Sequence, residues 1–415
     1  MPPTASDDAE LDPFEQFNMA AGIGVIENPY PDFALARARG AVLREEIVLD
    51  SAEIEFASVE NFGNVPALFI AYGFDAVQQV LRDNETFSSR SYEDFMGPVM
   101  GHTILEMDEP EHHTYRAIVQ QAFSRTTLER WEVEAIAPIV DEHIDAFEDR
   151  GHAELVRELT FPFPVNVIAR LLGLPREDVP EFHRLAVEII SVGFDMERGL
   201  AASRALGEYF GGILRERRAA PADDLMSMLA AAELDGQHLT DEEIFAFLRL
   251  LLPAGAETTY RSSSNLLVGL LTNSDQLDAL RSDRALMPQA IEEGLRWEPP
   301  LLQIPRRATR DTVVEGVEIP AGSMVIVNMG SANHDERYWT DPERFDISRP
   351  PKQHLAFAFG PHMCLGMHLA RLETRVVISK LLDRLPGLRA DPAAEVPSIS
   401  GVVFRAPMAL PVVWN

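Results

Sequence analysis

The sequence predicts a mainly helical protein with a smaller β portion, an α+β chain organised around one long buried helix. Three observations lead there. Apolar residues recur at helical spacing from about residue 112 to 300, interrupted at Gly151, Pro162, Gly173-Leu174-Pro175, Pro221 and Gly236. Past residue 305 the pattern shortens to strand-like runs separated by turns. Within the helical region, Thr240-Asp241-Glu242-Glu243 has the form of a capping box, and the periodic stretch behind it reaches Leu271. That is roughly 32 residues, or about 48 Å at the rise of an α-helix. It is too apolar in its middle to lie on a surface.

The elements follow in order. Residues 1–30 read as a loosely ordered N-terminal tail. Strand-like runs come next, near Ile47 to Leu49 and at Ala67-Leu68-Phe69-Ile70-Ala71-Tyr72. The helical region is followed by Thr312-Val313-Val314-Glu315-Gly316-Val317-Glu318-Ile319, two short strands about a turn, and by a helix containing Leu369-Ala370-Arg371-Leu372-Glu373. No repeat, low-complexity tract or Gly/Ser linker divides the chain, so residues 31–415 are expected to form a single domain.

Composition narrows the class of function. With 46% hydrophobic and 25% charged residues the chain has globular composition. Its formal net charge of −30 excludes nucleic acid as a natural partner, because phosphate binding needs a basic face. One cysteine allows no internal disulfide. The start, Met1-Pro2-Pro3-Thr4-Ala5-Ser6-Asp7-Asp8, lacks a signal peptide's basic and apolar regions, and the longest apolar run, Ser262 to Asn273, falls short of a membrane span. A cytoplasmic protein without a membrane anchor is expected.

Chemistry concentrates in a few segments. The single cysteine lies in Phe357-Ala358-Phe359-Gly360-Pro361-His362-Met363-Cys364-Leu365-Gly366, just ahead of a helix. Unpaired N–H groups and the helix dipole favour a thiolate there, and Gly366 leaves room for a large flat group to approach the backbone. This arrangement suits a haem iron held through sulfur. Inside the long helix, Pro253-Ala254-Gly255-Ala256-Glu257-Thr258-Thr259 places a proline and a glycine where each costs stability, about 3 and 1 kcal/mol against alanine. Gly255 offers close approach to a ligand, and the Thr258 hydroxyl can reach the carbonyl of Ala254, opening a groove beside the Glu257 carboxylate. Such a pair is a candidate proton relay. Glu293 and Arg296 share a helical face at i,i+3, His112 and Arg116 share one at i,i+4, and Arg306 stands near a strand start.

With these motifs assembled in order, the chain resembles a cytochrome P450 of the soluble bacterial type from about residue 30 to its end. The resemblance implies the P450 fold, with the long helix over a haem b whose axial ligand is the Cys364 thiolate, backed by Gly366. It implies that His112, Arg116, Arg306 and His362 hold the haem propionates, that Ala254-Gly255-Ala256-Glu257-Thr258 is the oxygen-activation segment with Ala254 against the cofactor, and that Glu257 and Thr258 supply protons. Glu293 and Arg296 become a structural pair completed by Arg344 or Arg349. Ala358 departs from the glycine common at its position, which puts the local backbone in question, and His368 is expected on the surface. The implied activity is hydroxylation of a hydrophobic small molecule with O2 and electrons from a separate, acidic ferredoxin system. Arg371, Arg375, Arg116 and Arg125 are the candidate docking face. The alternatives are a peroxide-driven peroxygenase of the same fold and a non-catalytic haem-binding protein. Lids are expected over Arg90 to Leu105 and Glu181 to Leu200, with Phe95, Val99, Met100, Val192, Leu251, Leu302 and Val403 as pocket candidates.

Overall fold

Short β-branched runs far apart in sequence combine into the main sheet. In the computed structural model, which describes residues 18, 23, 24, 26–45, 65–94, 96–190 and 196–415, the sheet comprises β1 (Val42–Glu45), β2 (Leu68–Ala71), β3 (Phe87–Ser88), β4 (Gln303–Ala308) and β5 (Met324–Asn328) in the order β1-β2-β5-β4-β3. β5 runs parallel to β2 with Met324 opposite Leu68, and antiparallel to β4 with Val325 opposite Arg306. Phe69, Ala71, Ile304, Val325 and Val327 bury their side chains with Val77 and Val80 in a core of their own. The expected hairpin is present: Thr312–Val314 pairs with Val317–Ile319 across Glu315 (φ 49°) and Gly316 (φ 80°), two left-handed residues of the kind a tight hairpin turn requires. The early strand lies at Val42–Glu45, whereas Ile47 to Leu49 fall outside the described residues.

The helical body packs around the long central helix. Both halves of the capping box form: the Thr240 hydroxyl accepts from the Glu243 N–H, and the Glu243 carboxylate accepts from the Thr240 N–H. The helix then runs as α5 (Asp241–Leu251), a π-turn over Leu252–Glu257, and α6 (Thr258–Thr272). Its expected path is correct, but it is not a uniform α-helix. Pro253 has no N–H to give and its ring crowds the preceding turn, so the ladder widens at that point. From Thr259 to Leu271 every residue of α6 is buried, polar Ser263, Ser264 and Asn265 included. Asn265 donates to the carbonyls of Glu298 (3.0 Å) and Arg405 (3.1 Å), which satisfies its buried amide nitrogen.

Other helices that place the site are α1 (Glu111–Gln120), α2 (Pro162–Leu171), α3 (Val179–Ile190), α4 (Met196–Ala219), α7 (Met287–Trp297) and α8 (Met367–Arg384). α7 and α8 both pack on α6. The expected loose tail is held down over its described part. The Tyr260 hydroxyl donates to Asn18 (2.8 Å), the Gly24 N–H to Ser400 (2.9 Å), the Gly401 N–H to the Ile26 carbonyl (2.7 Å), and Ile23 is buried. Among the described residues, no helix is long and apolar enough to cross a membrane.

Candidate active site

The cysteine loop is built from backbone hydrogen bonds. Ala358 N–H donates to Leu355 (2.9 Å), Met363 N–H to Gly360 (3.0 Å) and Cys364 N–H to Phe357 (2.9 Å). Two of its residues take left-handed φ: Gly360 at 76° and Ala358 at 58°. A Cβ at Gly360 would stand 2.6 Å from the Leu81 carbonyl oxygen, so only glycine fits. Ala358 adopts the geometry that glycine would, with the steric cost a Cβ brings to that region. The bend is therefore intact despite the departure from the expected residue.

Cys364 sits just before α8. Its side chain is exposed, yet protein crowding raises its thiol pKa by desolvation, and both hold for a residue lining an internal recess. Opposing that rise are the Gly366 N–H, which donates to the sulfur, and the guanidiniums of Arg116 and Arg371. A Cβ built on Gly366 meets nothing within 4 Å, so the space beside the sulfur is open on that side.

Four expected residues converge near this loop. The rings of His112 and His362 lie 4.0 Å apart, Arg116 donates to the Met363 carbonyl (2.6 Å), and Arg306 on β4 is buried, bonding to its own neighbour Pro305 (2.7 Å) and interacting with Tyr92. His112 Nδ1 reaches Glu109 at 3.3 Å, but Nε2 of His112 and Nε2 of His362 are buried with no partner. Desolvation first, then Arg306, His112 and Arg116, force the His362 pKa down to about 2. The buried Arg306, the half-buried Arg116 and the two orphaned ring nitrogens gather beside a single carboxylate on His112, that of Glu109, and a ligand with carboxylates would satisfy what is left. The donor set therefore fits a haem, with sulfur for its iron and this cluster for its propionates.

The π-turn places its groups on two faces. The Thr258 hydroxyl donates to the Ala254 carbonyl at 2.7 Å, as its spacing predicted, and Ala254 is the exposed residue of the turn, flanked by half-buried Leu251 and Thr258. Gly255 corrects an expectation. A Cβ there would touch Ile168 (3.4 Å) and Leu251 (3.5 Å), so this glycine faces α2 and not a ligand. Glu257 turns the other way. Its Oε1 accepts from Arg261 Nε (3.2 Å) and Nη2 (2.8 Å), and burial raises its pKa against the pull of Arg261. Adjacent helix residues point about 100° apart, so the carboxylate does not touch the hydroxyl.

Glu293 and Arg296 form a buried bidentate pair at 2.8 Å. Arg349, one of the two expected candidates, completes it with Nε 3.1 Å from Glu293 Oε2. Arg344 contributes its carbonyl, which accepts from Arg296 (3.1 Å) and Arg349 (2.9 Å).

Other expectations need correction. Val99 and Met100 are each 1% exposed and belong to the main core, so they line no accessible recess. Leu302 is fully buried with Tyr30, Phe33 and Tyr72 in a small cluster of its own. Phe95 and Val192 lie outside the described residues, while Leu251 and Val403 keep partial exposure. The basic docking face is largely neutralised. Arg371 binds Glu292 in bidentate fashion (2.6 and 2.9 Å), Arg375 binds Glu132 (2.6 Å), Arg125 binds Glu129 (2.8 Å), and Arg116 turns to the cysteine loop. His368 is exposed, as expected. Arg261 and Tyr92 were not anticipated. Arg261 stands four residues after Glu257, a spacing that was there to be read.

The cytochrome P450 profile matches residues 196–387. The steroid C26-monooxygenase of Mycolicibacterium smegmatis is 36% identical over 355 residues, 84% of this chain and 88% of that protein. The cytochrome P450 monooxygenase PikC of Streptomyces venezuelae is 32% identical over 95% of this chain and 93% of its own. The crystal structure of CYP109E1 from Bacillus megaterium in complex with testosterone superposes with a TM-score of 0.82 at 32% identity, covering 94% of this chain and 99% of that one. A thiol-lined recess beside a cation cluster, under a helix broken at its centre, thus recurs in a chain related over nearly its whole length to known monooxygenases: it belongs to the cytochrome P450 family and is a P450 monooxygenase, an oxidoreductase that incorporates molecular oxygen.

Proposed function

We propose that this chain binds haem b through Cys364 and hydroxylates a hydrophobic small molecule, using O2 and electrons from a separate ferredoxin-type donor in the cytoplasm. The observation that carries the reading is the lone cysteine at the start of α8, facing a recess flanked by His112, Arg116, Arg306 and His362. Bound haem supplies an iron centre at which oxygen is activated for insertion into a C–H bond. The protein's residues do the rest. Arg116 and Arg306 meet carboxylates with charge, and the orphaned nitrogens of His112 and His362 meet them with hydrogen bonds. Gly366 N–H and Arg116 hold negative charge on the sulfur.

On the opposite side, Leu251, Ala254 and Thr258 form the helix face available to substrate and oxygen. Thr258 Oγ1, now bonded to Ala254, would hold a proton on that face, and Glu257 on the other face of the turn would be the acid behind it, with water between the two. The acid–alcohol pair favours O2 over a peroxide-driven reaction, which needs no relay. A steroid is the first substrate class to screen, since one relative is a steroid C26-monooxygenase and one neighbouring structure is a testosterone complex.

The test is the spectrum of the reduced, CO-bound protein. Wild type should give the red-shifted Soret band of thiolate ligation, and Cys364→His should lose it while keeping some haem. A folded, haem-loaded wild type without that band overturns the proposal. A spin-state titration against a steroid panel then tests the substrate class, and turnover with ferredoxin and reductase, compared with hydrogen peroxide, tests the electron source.

A further inference from the structure

Glu257 is buried and locked to Arg261, so a proton has no direct path from solvent to its carboxylate. A small cavity behind the π-turn offers an indirect one. It is lined by Phe161, Val165, His183, Val187, Ala256, Glu257 and Tyr260, with room for about one water molecule. Most of the lining is apolar, and His183 and Glu257 are its titratable groups apart from the Tyr260 phenol, which is already bonded to Asn18. His183 Nε2 is buried without a partner, although the residue as a whole is only half-buried. Glu257 takes both Arg261 bonds on Oε1, which leaves Oε2 for another donor.

We propose that His183 is the proton-entry residue for the oxygen chemistry, handing protons to Glu257 through one water in this cavity. This rests on the monooxygenase reading. The imidazolium gives its Nε2 proton to the water, the water passes a proton to Glu257 Oε2, and the neutral ring, which keeps its proton on Nδ1, turns toward solvent to take the next proton on the bare Nε2. No electron moves and the water is regenerated. Burial lowers the His183 pKa and raises that of Glu257, which brings donor and acceptor closer in acidity. Among the described residues few other charges intrude. Arg261 faces the carboxylate. Glu181 and Glu188 on α3 are paired with Arg184, and Glu188 also with Arg198 of α4, while Phe161 and Val165 at the start of α2 bring only apolar surface.

His183→Gln keeps a polar group without a titrating one, and His183→Phe closes the space. Either should slow O2-driven turnover by roughly a hundredfold with a raised solvent isotope effect, as loss of a positioned proton donor does. Turnover driven by hydrogen peroxide, which brings its own protons, is the control. If both reactions fall together the residue is structural, and if O2-driven turnover is unchanged the route is absent; either result overturns the proposal. An independent readout is the His183 ring titration by NMR in the ferrous CO complex of the holoenzyme. Glu257→Gln should lower the His183 pKa, and an unmoved titration also overturns the link. Should the wild type lack both reactions, the monooxygenase reading fails first.

Discussion

The two sides of the recess are held by different means. On the cysteine side, hydrogen bonds at Ala358, Met363 and Cys364 fold the loop, and the Glu293–Arg296–Arg349 cluster fixes the segment before it. On the side of the central helix, backbone bonds are given up at Pro253 and a hydroxyl takes a carbonyl in their place. A ligand to iron must not move, whereas a proton path needs groups free to exchange partners. On the reading proposed above, the tighter bonding would suit a fixed ligand and the opened ladder a proton path.

Four substitutions probe that contrast. The largest effect is expected at Glu293. Removing its carboxylate leaves the buried Arg296 guanidinium facing the half-buried one of Arg349, and breaking a buried pair costs about 3–5 kcal/mol. Glu293→Ala should yield little soluble, haem-loaded protein, read from expression and the CO spectrum. Normal haem content would mean that the cysteine side is less dependent on this cluster than its bonds imply.

Glu373 comes next, because it joins the two sides: it lies on α8 and accepts from the Thr259 hydroxyl of α6 at 3.2 Å. Burial raises its pKa to about 8. The folded state therefore keeps a proton that the unfolded chain releases near the ordinary carboxylate range. The stability linked to it is complete below that range and is lost as pH rises toward about 8. Glu373→Gln should unfold in urea with a flatter pH profile, gaining about 3–4 kcal/mol on wild type between pH 5 and 8, and parallel profiles would show the carboxyl ionised throughout.

A smaller effect is expected at Thr258. Thr258→Ala should keep the CO spectrum and substrate binding, while product per NADH falls and hydrogen peroxide rises severalfold. Unchanged coupling with a true substrate would reduce the hydroxyl to a bond with Ala254. The smallest is Ala358→Gly, which relieves a left-handed alanine and should raise the thermal midpoint by the equivalent of about 1 kcal/mol, offset in part by backbone entropy.

What could be read in the sequence was whatever local chemistry decides. The capping box at Thr240, the bond from Thr258 to Ala254, the cysteine loop and the Glu293–Arg296 pair all depend on residues within a few positions of each other. What could not be read depends on which distant surface arrives. Leu302 is apolar in any reading, but only the fold sets it against Tyr30 and Tyr72 instead of a substrate. Gly255 permits close approach, but Ile168 is what approaches. Arg371 looks like a free cation until Glu292 comes to meet it; although burial alone would raise that carboxyl, His354 and Arg371 hold its pKa down to about 2.

The stretch around residues 340–349 has neither helix nor strand, so no repeating ladder ties it down. Arg296 donates to the carbonyls of Asn333, Pro342 and Arg344, and Arg349 to those of Thr340, Asp341 and Arg344. The two guanidiniums act as rungs that the backbone does not provide, with Glu293 as the post holding both. The order of this segment is thus written in side chains, and amide exchange across it should respond as one block to a change at that single carboxylate.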